Sequence, residues 1–313
     1  MSLILNIATL LALFAALGLA ADLTVKNIRL VALSLKMKMF SLGIILGIMT
    51  TLPELSVGIN ASLEGAASLS VGNIMGGIVV IIGLILGVSL LLNRKIETDD
   101  NLRSMLPACF VILSPFLLGV DGKFGTFDGI LMVSLYVGLI YYLYRINRSP
   151  LDIGGLVIIE SKKIIKEVFF TILGVVAVML ISHWIIQITL VLLNELMVSK
   201  LVIGILIFSI GTNLPEITMT LTSWRRKSSD LSLSHLISSA FTNILVLGLL
   251  VILNPITFTI GPIYYALCFF VSLVVILFLI FSKSDKSLSR IEGGFLVLVY
   301  ITFVAVNLYL VGR

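Results

Sequence analysis

The sequence TTLPE at residues 50–54 and the sequence TNLPE at residues 212–216 are two copies of one short motif. Each copy lies in the middle of a long apolar segment. Of the 16 acidic residues in the chain, only Glu54 and Glu216 fall where a lipid bilayer would surround the helix. An ionisable side chain at that depth costs about 2.5–3.5 kcal/mol and marks a functional site. We therefore interpret the two glutamates as one shared cation site.

The composition is that of an integral membrane protein. The mean hydropathy is +1.20, with 59% hydrophobic and 12% charged residues. Apolar runs close to the length that crosses a bilayer recur along the whole chain. We identify ten, at residues 3–21, 39–62, 68–92, 105–119, 127–144, 168–190, 200–222, 231–252, 258–281 and 291–311. The sequence thus predicts an all-α integral membrane fold with ten transmembrane helices.

The net charge of +5 reflects membrane topology and does not indicate a nucleic-acid partner. If the N-terminus is outside, all of the 21 Lys and Arg residues except Lys123, Lys200 and Arg313 fall on the inner side. Lys and Arg accumulate in cytoplasmic loops. We therefore expect a multi-pass protein of the cell membrane with both termini outside. No obligate protein partner is evident.

The two halves of the chain are related by an offset of 162 residues. This offset joins the two glutamate motifs and also aligns LSVGN at residues 69–73 with LSLSH at residues 231–235. Five helices per half is an odd number, so the second half enters the membrane inverted, an architecture common in secondary transporters. The predicted organisation is one membrane domain, with five-helix repeats at 1–144 and 168–313 and a partly helical cytoplasmic linker at 145–167.

Each motif gathers oxygen ligands on one side of a helix. A proline inside a helix removes one N–H donor and disrupts the preceding turn, so Pro53 and Pro215 should release backbone carbonyl oxygens. Residues four apart share a helical face, which places a threonine hydroxyl beside each glutamate. Carboxylate, hydroxyl and carbonyl oxygens are hard ligands suited to Ca²⁺ or Na⁺.

Two carboxylates match a divalent cation in charge. Close together in a medium of low dielectric constant, both cannot stay ionised without a counter-ion. Such a site must be loaded with Ca²⁺, with Na⁺ or with protons, which is an electrostatic basis for exchange. The alternative is a pair of protonated glutamates that hydrogen-bond between helices and have only a structural role.

Other polar side chains are expected beside the glutamates. Asn73 would serve either as a ligand or as an inter-helix hydrogen-bond partner. Ser239 and Asn243 lie on the polar face of the eighth helix, spaced to meet the site. His235 occupies the position equivalent to Asn73. It would be either a hydrogen-bonded packing residue or a proton-responsive group, because histidine titrates near neutral pH.

These motifs resemble those of the calcium/cation antiporter superfamily, the sodium/calcium exchangers. The resemblance rests on Thr-x-Leu-Pro-Glu in helices two and seven and on Gly-Asn-x-x-Gly at residues 72–76, and it covers the whole chain. It implies an antiporter, not an enzyme, that exchanges Ca²⁺ for Na⁺ by alternating access and needs no cofactor besides the transported ions. The Leu-Pro-Glu form is more similar to the sodium-coupled branch than to the proton-coupled one.

The resemblance also implies ligand roles. Ca²⁺ would be bound by Glu54 and Glu216 together with the main-chain oxygens of Thr50 and Thr212. The implied Na⁺ or coupling-ion positions, which include two carbonyl oxygens, are Thr51, Asn213, Ser239, Gly47 and Ser209, with Asn243 beside them.

Several positions depart from the family pattern. Gly77 stands where the family often has serine, Ile81 where it often has asparagine, Asn243 where an aspartate is common, and His235 where the second repeat has asparagine. The Ca²⁺-type ligands are retained and several Na⁺-type ligands are not. An exchange of Ca²⁺ or another cation for H⁺, carried by His235 and the two glutamates, therefore stays open.

Two other classes of function have less support. A channel would need a ring of charge or a filter motif, and we find neither in the sequence. An intramembrane enzyme would need a motif such as Gly-x-Ser-x-Gly or His-Glu-x-x-His, and the sequence has neither.

Overall fold

A computed structural model describes residues 3–34, 39–93, 95–97, 102–146, 161–196, 198–225, 229–284 and 287–311. In the first half the elements are α1 (Leu3–Ser34), α2 (Met39–Thr50), α3 (Leu52–Leu63), α4 (Ala67–Val79), the π-helical segment Val80–Leu86, α5 (Gly87–Asn93), β1 (Lys95–Glu97), α6 (Leu102–Leu118), β2 (Lys123–Phe124) and α7 (Thr126–Ile146). In the second half they are α8 (Ser161–Leu196), α9 (Lys200–Ile203), the π-helical segment Gly204–Phe208, α10 (Ser209–Gly211), α11 (Leu214–Arg225), α12 (Ser229–Leu253), β3 (Ile256–Thr257), α13 (Pro262–Ser284), β4 (Ser287–Ser289) and α14 (Arg290–Val311).

The fold is that of a multi-pass membrane protein built from helices. Within the described residues, eight helical stretches are long and apolar enough to cross a membrane: Leu3–Val31, Ala67–Asn93, Thr126–Ile146, Ile164–Leu193, Lys200–Thr218, His235–Leu253, Pro262–Lys283 and Arg290–Val311. Two of the ten predicted helices are not among these eight. Met105–Leu118 is too short, and the segment from α2 to α3 is interrupted at Thr51. The all-α membrane class is therefore confirmed, and the part of the chain that the structure describes has four strands of two or three residues beside the helices.

The helices break at both glutamate motifs. α2 ends at Thr50 and α3 begins at Leu52, with Thr51 between them at φ −91° and ψ 10°. Pro53 occupies the second position of α3, where its missing N–H is not needed for a helical hydrogen bond. The second break, between α10 and α11, falls just before Pro215. Each break places the motif glutamate in the first turn of a new helix.

Element boundaries recur at the 162-residue offset. α3 and α11 both begin and end 162 residues apart, as do the beginnings of α4 and α12 and the ends of α1 and α8. The strands also pair across the halves: β1 lies antiparallel to β4, with Lys95 opposite Ser289, and β2 lies antiparallel to β3, with Lys123 opposite Thr257. The two halves are therefore built from matching elements and are joined at two sheet edges.

A glycine crossing brings α4 against the start of the second broken helix. A Cβ atom added to Gly72 would lie 3.2 Å from the Gly204 Cα, and one added to Gly204 would lie 2.8 Å from the Asn73 nitrogen. Only glycine permits this backbone contact, as in other close helix pairs of membrane proteins. The crossing places Asn73 of α4 against Thr212 and Gly77 of α4 against Asn213.

Some helix boundaries differ from the prediction. α1 continues to Ser34 rather than ending at residue 21, and the added turns carry the ion pair Lys26–Asp22 at 2.5 Å. α8 begins at Ser161, so the end of the predicted linker 145–167 is helical, while residues 147–160 lie outside the described residues. α13 begins at Pro262 instead of residue 258, because β3 and a turn precede it.

Candidate functional site

Glu54 and Glu216 lie buried at the first turns of α3 and α11, with 1% and 0% of their surface exposed. The two carboxylates are close enough to interact electrostatically. A helix N-terminus favours negative charge, which offsets part of the cost of burying each one. The Oε2 atom of each glutamate is buried and has no hydrogen-bond partner. Buried polar atoms are normally paired, so both oxygens are available to a ligand.

Ser239 orients one of the glutamates. Its hydroxyl on α12 donates a hydrogen bond to Glu216 Oε1 at 2.9 Å. The position equivalent to Ser239 in the first half is Gly77, which has no side chain to offer Glu54. The pair of carboxylates is therefore held asymmetrically.

Thr212 connects the two halves at the site. Its hydroxyl lies 3.0 Å from Asn73 Oδ1 on α4 and 3.0 Å from the Phe208 carbonyl oxygen, and it also lies beside the Glu54 carboxylate. Asn73 therefore makes an inter-helix hydrogen bond, one of its two predicted roles, while its Nδ2 atom is buried without a partner. Thr50, the equivalent of Thr212, donates instead to the Gly47 carbonyl oxygen at 3.0 Å.

The two carbonyl oxygens implied as coupling-ion ligands already accept hydrogen bonds. Thr51 Oγ1 donates to the Gly47 oxygen at 3.3 Å, and Asn213 Nδ2 donates to the Ser209 oxygen at 2.8 Å. These two bonds occupy equivalent positions in the two halves. The Ser209 hydroxyl in turn donates to the Ile205 carbonyl oxygen. A monovalent ion using these carbonyls would have to displace or share those bonds.

Two asparagine side chains of the second half face α4. A Cβ atom added to Gly77 would lie 3.0 Å from Asn213 Nδ2 and 3.6 Å from Asn243 Nδ2. Both asparagines are fully buried. Asn213 Oδ1 and both polar atoms of the Asn243 side chain have no hydrogen-bond partner. The absence of a side chain at Gly77 is what leaves room for these amides.

His235 lies on α12, one turn before Ser239, and is half-buried. Its Nε2 atom is buried without a hydrogen-bond partner. That nitrogen is therefore not engaged in the packing hydrogen bond that was one of the two predicted roles.

A polar ladder between α3 and α8 was not predicted. Ser56 Oγ and Ser182 Oγ are 2.6 Å apart, Asn60 Nδ2 donates to Ser182 Oγ at 2.9 Å, and Gln187 Nε2 donates to Glu64 Oε1 at 2.7 Å. Ser56, Asn60 and Glu64 are four residues apart and so share one face of α3 and its C-terminal end. That spacing does not indicate which helix the polar face meets.

The chemistry of the site is that of hard oxygen ligands. Within the described part of the chain, no group of three or more His, Cys, Asp or Glu side chains is placed to hold a metal ion. Around the glutamates lie hydroxyl and amide groups that are almost completely buried. Two carboxylates with neutral oxygens suit Ca²⁺ or Na⁺, and the site offers no soft ligand.

A model of the sodium/calcium exchanger protein family matches residues 5–145 and 166–309, nearly the whole chain. The chain belongs to the sodium/calcium exchanger family. Its relatives in this family include the sodium/calcium exchanger MaX1 of Methanosarcina acetivorans, which is 24% identical over 93% of this chain and 95% of its own length. The inner membrane protein YrbG of Escherichia coli is 27% identical over 82% of this chain and 79% of its own.

Solved structures of exchangers share the fold. The H⁺/Ca²⁺ exchanger CAX superposes with a TM-score of 0.78 at 17% identity, covering 97% of this chain and 86% of that one. The sodium–calcium exchanger NCX_Mj, soaked with Na⁺ and Sr²⁺, superposes with a TM-score of 0.68 at 21% identity, covering 97% and 99%. The helical membrane fold of this chain is therefore shared with these exchangers over almost its whole length.

Proposed function

We propose that this protein is a secondary active antiporter that moves Ca²⁺ across the membrane in exchange for Na⁺ by alternating access. The observation that carries the proposal is the pair of buried glutamates, each with an unpartnered oxygen, in a membrane protein of the exchanger family. Buried charge at that depth is retained for ion binding and coupling. We propose no enzymatic activity and no cofactor; Ca²⁺ and the coupling ion are substrates.

The proposed Ca²⁺ site consists of the carboxylates of Glu54 and Glu216. The main-chain oxygens of Thr50 and Thr212 complete it. The proposed coupling-ion ligands, from both halves, are Thr51, Asn213, Gly47, Ser209, Ser239 and Asn243. Two observations support these assignments: the side chains are completely or almost completely buried around the carboxylates, and the side-chain oxygens of Asn213 and Asn243 have no hydrogen-bond partner.

The proposed topology is ten transmembrane helices in two inverted five-helix repeats. The shorter α6 and the broken α2–α3 segment are the two helices added to the eight long ones. The shared 162-residue offset of helix boundaries and the two separately matched segments of the family model support it. With the Lys and Arg distribution, we place both termini outside and the protein in the cell membrane.

Proton coupling is the second candidate. It is favoured by His235, whose Nε2 atom is buried and unpartnered one turn from Ser239. Histidine is the side chain whose charge changes most readily near neutral pH. In this alternative Ca²⁺ or another cation is exchanged for H⁺, and the same two glutamates bind the cation and the protons in turn.

The test is uptake of radioactive Ca²⁺ into proteoliposomes containing the purified protein. In one arm the vesicles contain more Na⁺ than the medium, at the same pH on both sides. In the other arm the vesicle interior is more acidic than the medium, at the same Na⁺ concentration on both sides. Sodium coupling predicts uptake driven by the outward Na⁺ gradient alone. Uptake that follows only the H⁺ gradient would replace Na⁺ by H⁺, and uptake that needs neither gradient and does not saturate would indicate a channel.

A further inference from the structure

We propose that the polar ladder between α3 and α8 is a latch that holds the site closed on the outer side of the membrane. The equivalent interface of the other half cannot form it, so the ladder biases the protein towards the conformation that opens inward. This inference rests on the proposed antiport and its topology. It comes from a set of hydrogen bonds and from the residues that replace their partners at the 162-residue offset.

The ladder reaches from the site to the end of α3. Its members on α3 lie on one face of the helix and are Ser56, Asn60 and Glu64. At 1.5 Å per residue, they lie about 3, 9 and 15 Å along the axis from Glu54. Beyond the end of the helix, Lys200 Nζ donates to the Gly65 carbonyl oxygen at 2.7 Å. The bonds therefore line the whole distance from one carboxylate to one end of the molecule, which is the outer end in the proposed topology.

Ser182 is the centre of the ladder. It is fully buried on α8, and its hydroxyl lies 2.6 Å from Ser56 Oγ and accepts a hydrogen bond from Asn60 Nδ2 at 2.9 Å. α8 packs along α1, and neither of these helices contributes a residue to the site described above. The ladder thus ties the helix that carries Glu54 to a pair of helices outside the site.

This tie opposes access from the outer side. Transporters built from inverted repeats open a site at the membrane midplane by rocking one helix bundle against the other. When α3 and α8 part to admit an ion to Glu54, the bonds at Ser182 break. Inter-helix hydrogen bonds inside a membrane shift such an equilibrium by about threefold to twentyfold each.

The equivalent interface of the other half, between α11 and α1, differs in chemistry and in packing. Ser182 corresponds to Ala20 of α1, whose side chain has no hydrogen-bonding group. Ser56 corresponds to Thr218 of α11, which is exposed, whereas Ser56 is only 6% exposed. The Thr218 hydroxyl donates within its own helix, to the Leu214 carbonyl oxygen at 2.9 Å. The bond between Ser56 and Ser182 therefore cannot have an equivalent at this second interface.

The experiment measures how often the outer side opens. Ala61 of α3 is fully buried in the same apolar cluster as Ile185 and Ile186 of α8, so Ala61→Cys reports on this interface. With Cys109 and Cys268 replaced by alanine, the new cysteine is labelled in intact cells with a membrane-impermeant maleimide.

Ser182→Ala should raise the labelling rate of this cysteine about threefold to twentyfold, because the rate follows the fraction of open molecules. It should also lower the outer Ca²⁺ concentration for half-maximal exchange, because more of the protein is then competent to bind from outside.

Two further variants separate the ladder from a general loosening of α8. Thr189→Val is the matched control: Thr189 is also fully buried on α8, but its hydroxyl donates within the helix, to the Ile185 carbonyl oxygen at 2.7 Å. It should leave the labelling rate unchanged. Ser56→Ala removes one of the two bonds to Ser182. It should raise the rate less than Ser182→Ala does, and it should add nothing in a protein that already carries Ser182→Ala.

The outcomes separate the latch from the transport function. An unchanged rate in folded Ser182→Ala overturns the inference, as does an equal rise in Thr189→Val or a cysteine that reacts only from the inner side. If Ser182→Ala does not fold, Ser56→Ala decides in the same assay. Labelling requires no transport, so a protein that moves no Ca²⁺ would overturn the proposed antiport while the labelling rates still decide whether the ladder holds the outer side closed.

Discussion

Ser239 donates a hydrogen bond to Glu216 Oε1 at 2.9 Å and leaves the Oε2 atom of the same carboxylate unpartnered. The bond joins α12 to the first turn of α11. It fixes the direction in which the carboxylate offers its free oxygen. Glu54 lacks the equivalent bond, because glycine occupies position 77, and its side-chain neighbour is instead Thr212 of the other half.

Ser239→Ala should weaken Ca²⁺ binding, because groups that orient a ligand typically contribute about tenfold to hundredfold in metal affinity. We expect the Ca²⁺ concentration for half-maximal uptake to rise about tenfold. Ser114→Ala is the matched control, since Ser114 is also buried and donates to the Val111 carbonyl oxygen away from the site. Unchanged Ca²⁺ dependence in Ser239→Ala would show that the bond does not position Glu216.

Gly72→Ala should destabilise the protein, because the new Cβ atom would meet the Gly204 Cα at 3.2 Å and the Ile205 nitrogen at 3.0 Å. Overpacking of this kind costs about 1–3 kcal/mol. Gly138→Ala is a suitable control, since its added Cβ has no neighbour within 4 Å. Thermal unfolding in detergent should give a lower midpoint for Gly72→Ala only. Equal midpoints would contradict the close helix crossing.

The sequence predicted the membrane class, the positions of the apolar segments and the break at each glutamate, because length, hydropathy and proline act locally. It did not predict the full length of α1, where Asp22 and Lys26 neutralise each other within the helix. It also missed the pairing of β1 with β4 and the Ser56–Ser182 contact. These depend on which segments meet after folding, and neither hydropathy nor spacing reports that.

At the site, the sequence identified the two glutamates but not how their neighbours divide the available hydrogen bonds. Asn73 and His235 are equivalent in the repeat, yet Asn73 accepts from Thr212 and His235 Nε2 has no partner. The partner of Asn73, Thr212, comes from the other half of the chain, and a contact of that kind is set by the folded structure and not by the repeat.

The inverted topology predicts which positions are accessible from each side. In a background with Cys109 and Cys268 replaced by alanine, single cysteines are labelled with a membrane-impermeant maleimide. The positions expected to react only from the cytoplasmic side are Lys38, Arg94 and Lys227. Those expected to react only from outside are Glu64, Lys123 and Lys200. Lys38 and Lys200 are 162 residues apart, so labelling of both from one side would exclude an inverted repeat.

His235→Asn distinguishes the two coupling ions. Under sodium coupling, the variant should keep Na⁺-driven Ca²⁺ efflux within about twofold of wild type at fixed pH, because histidine is then not a carrier. Under proton coupling, efflux should ignore Na⁺, follow an imposed pH gradient and fail in this variant. His183→Asn, on α8 beside Trp184, serves as the control for loss of a histidine outside the site.

The most direct test of the cation site is Ca²⁺ uptake by Glu54→Gln and Glu216→Gln in proteoliposomes. Each variant keeps the side-chain shape and removes one of the two charges that match a divalent ion. We expect each to lower uptake by about a hundredfold or more while unfolding at the wild-type temperature. The exposed Glu195→Gln should transport like wild type. Wild-type uptake in either Glu54→Gln or Glu216→Gln would contradict the account.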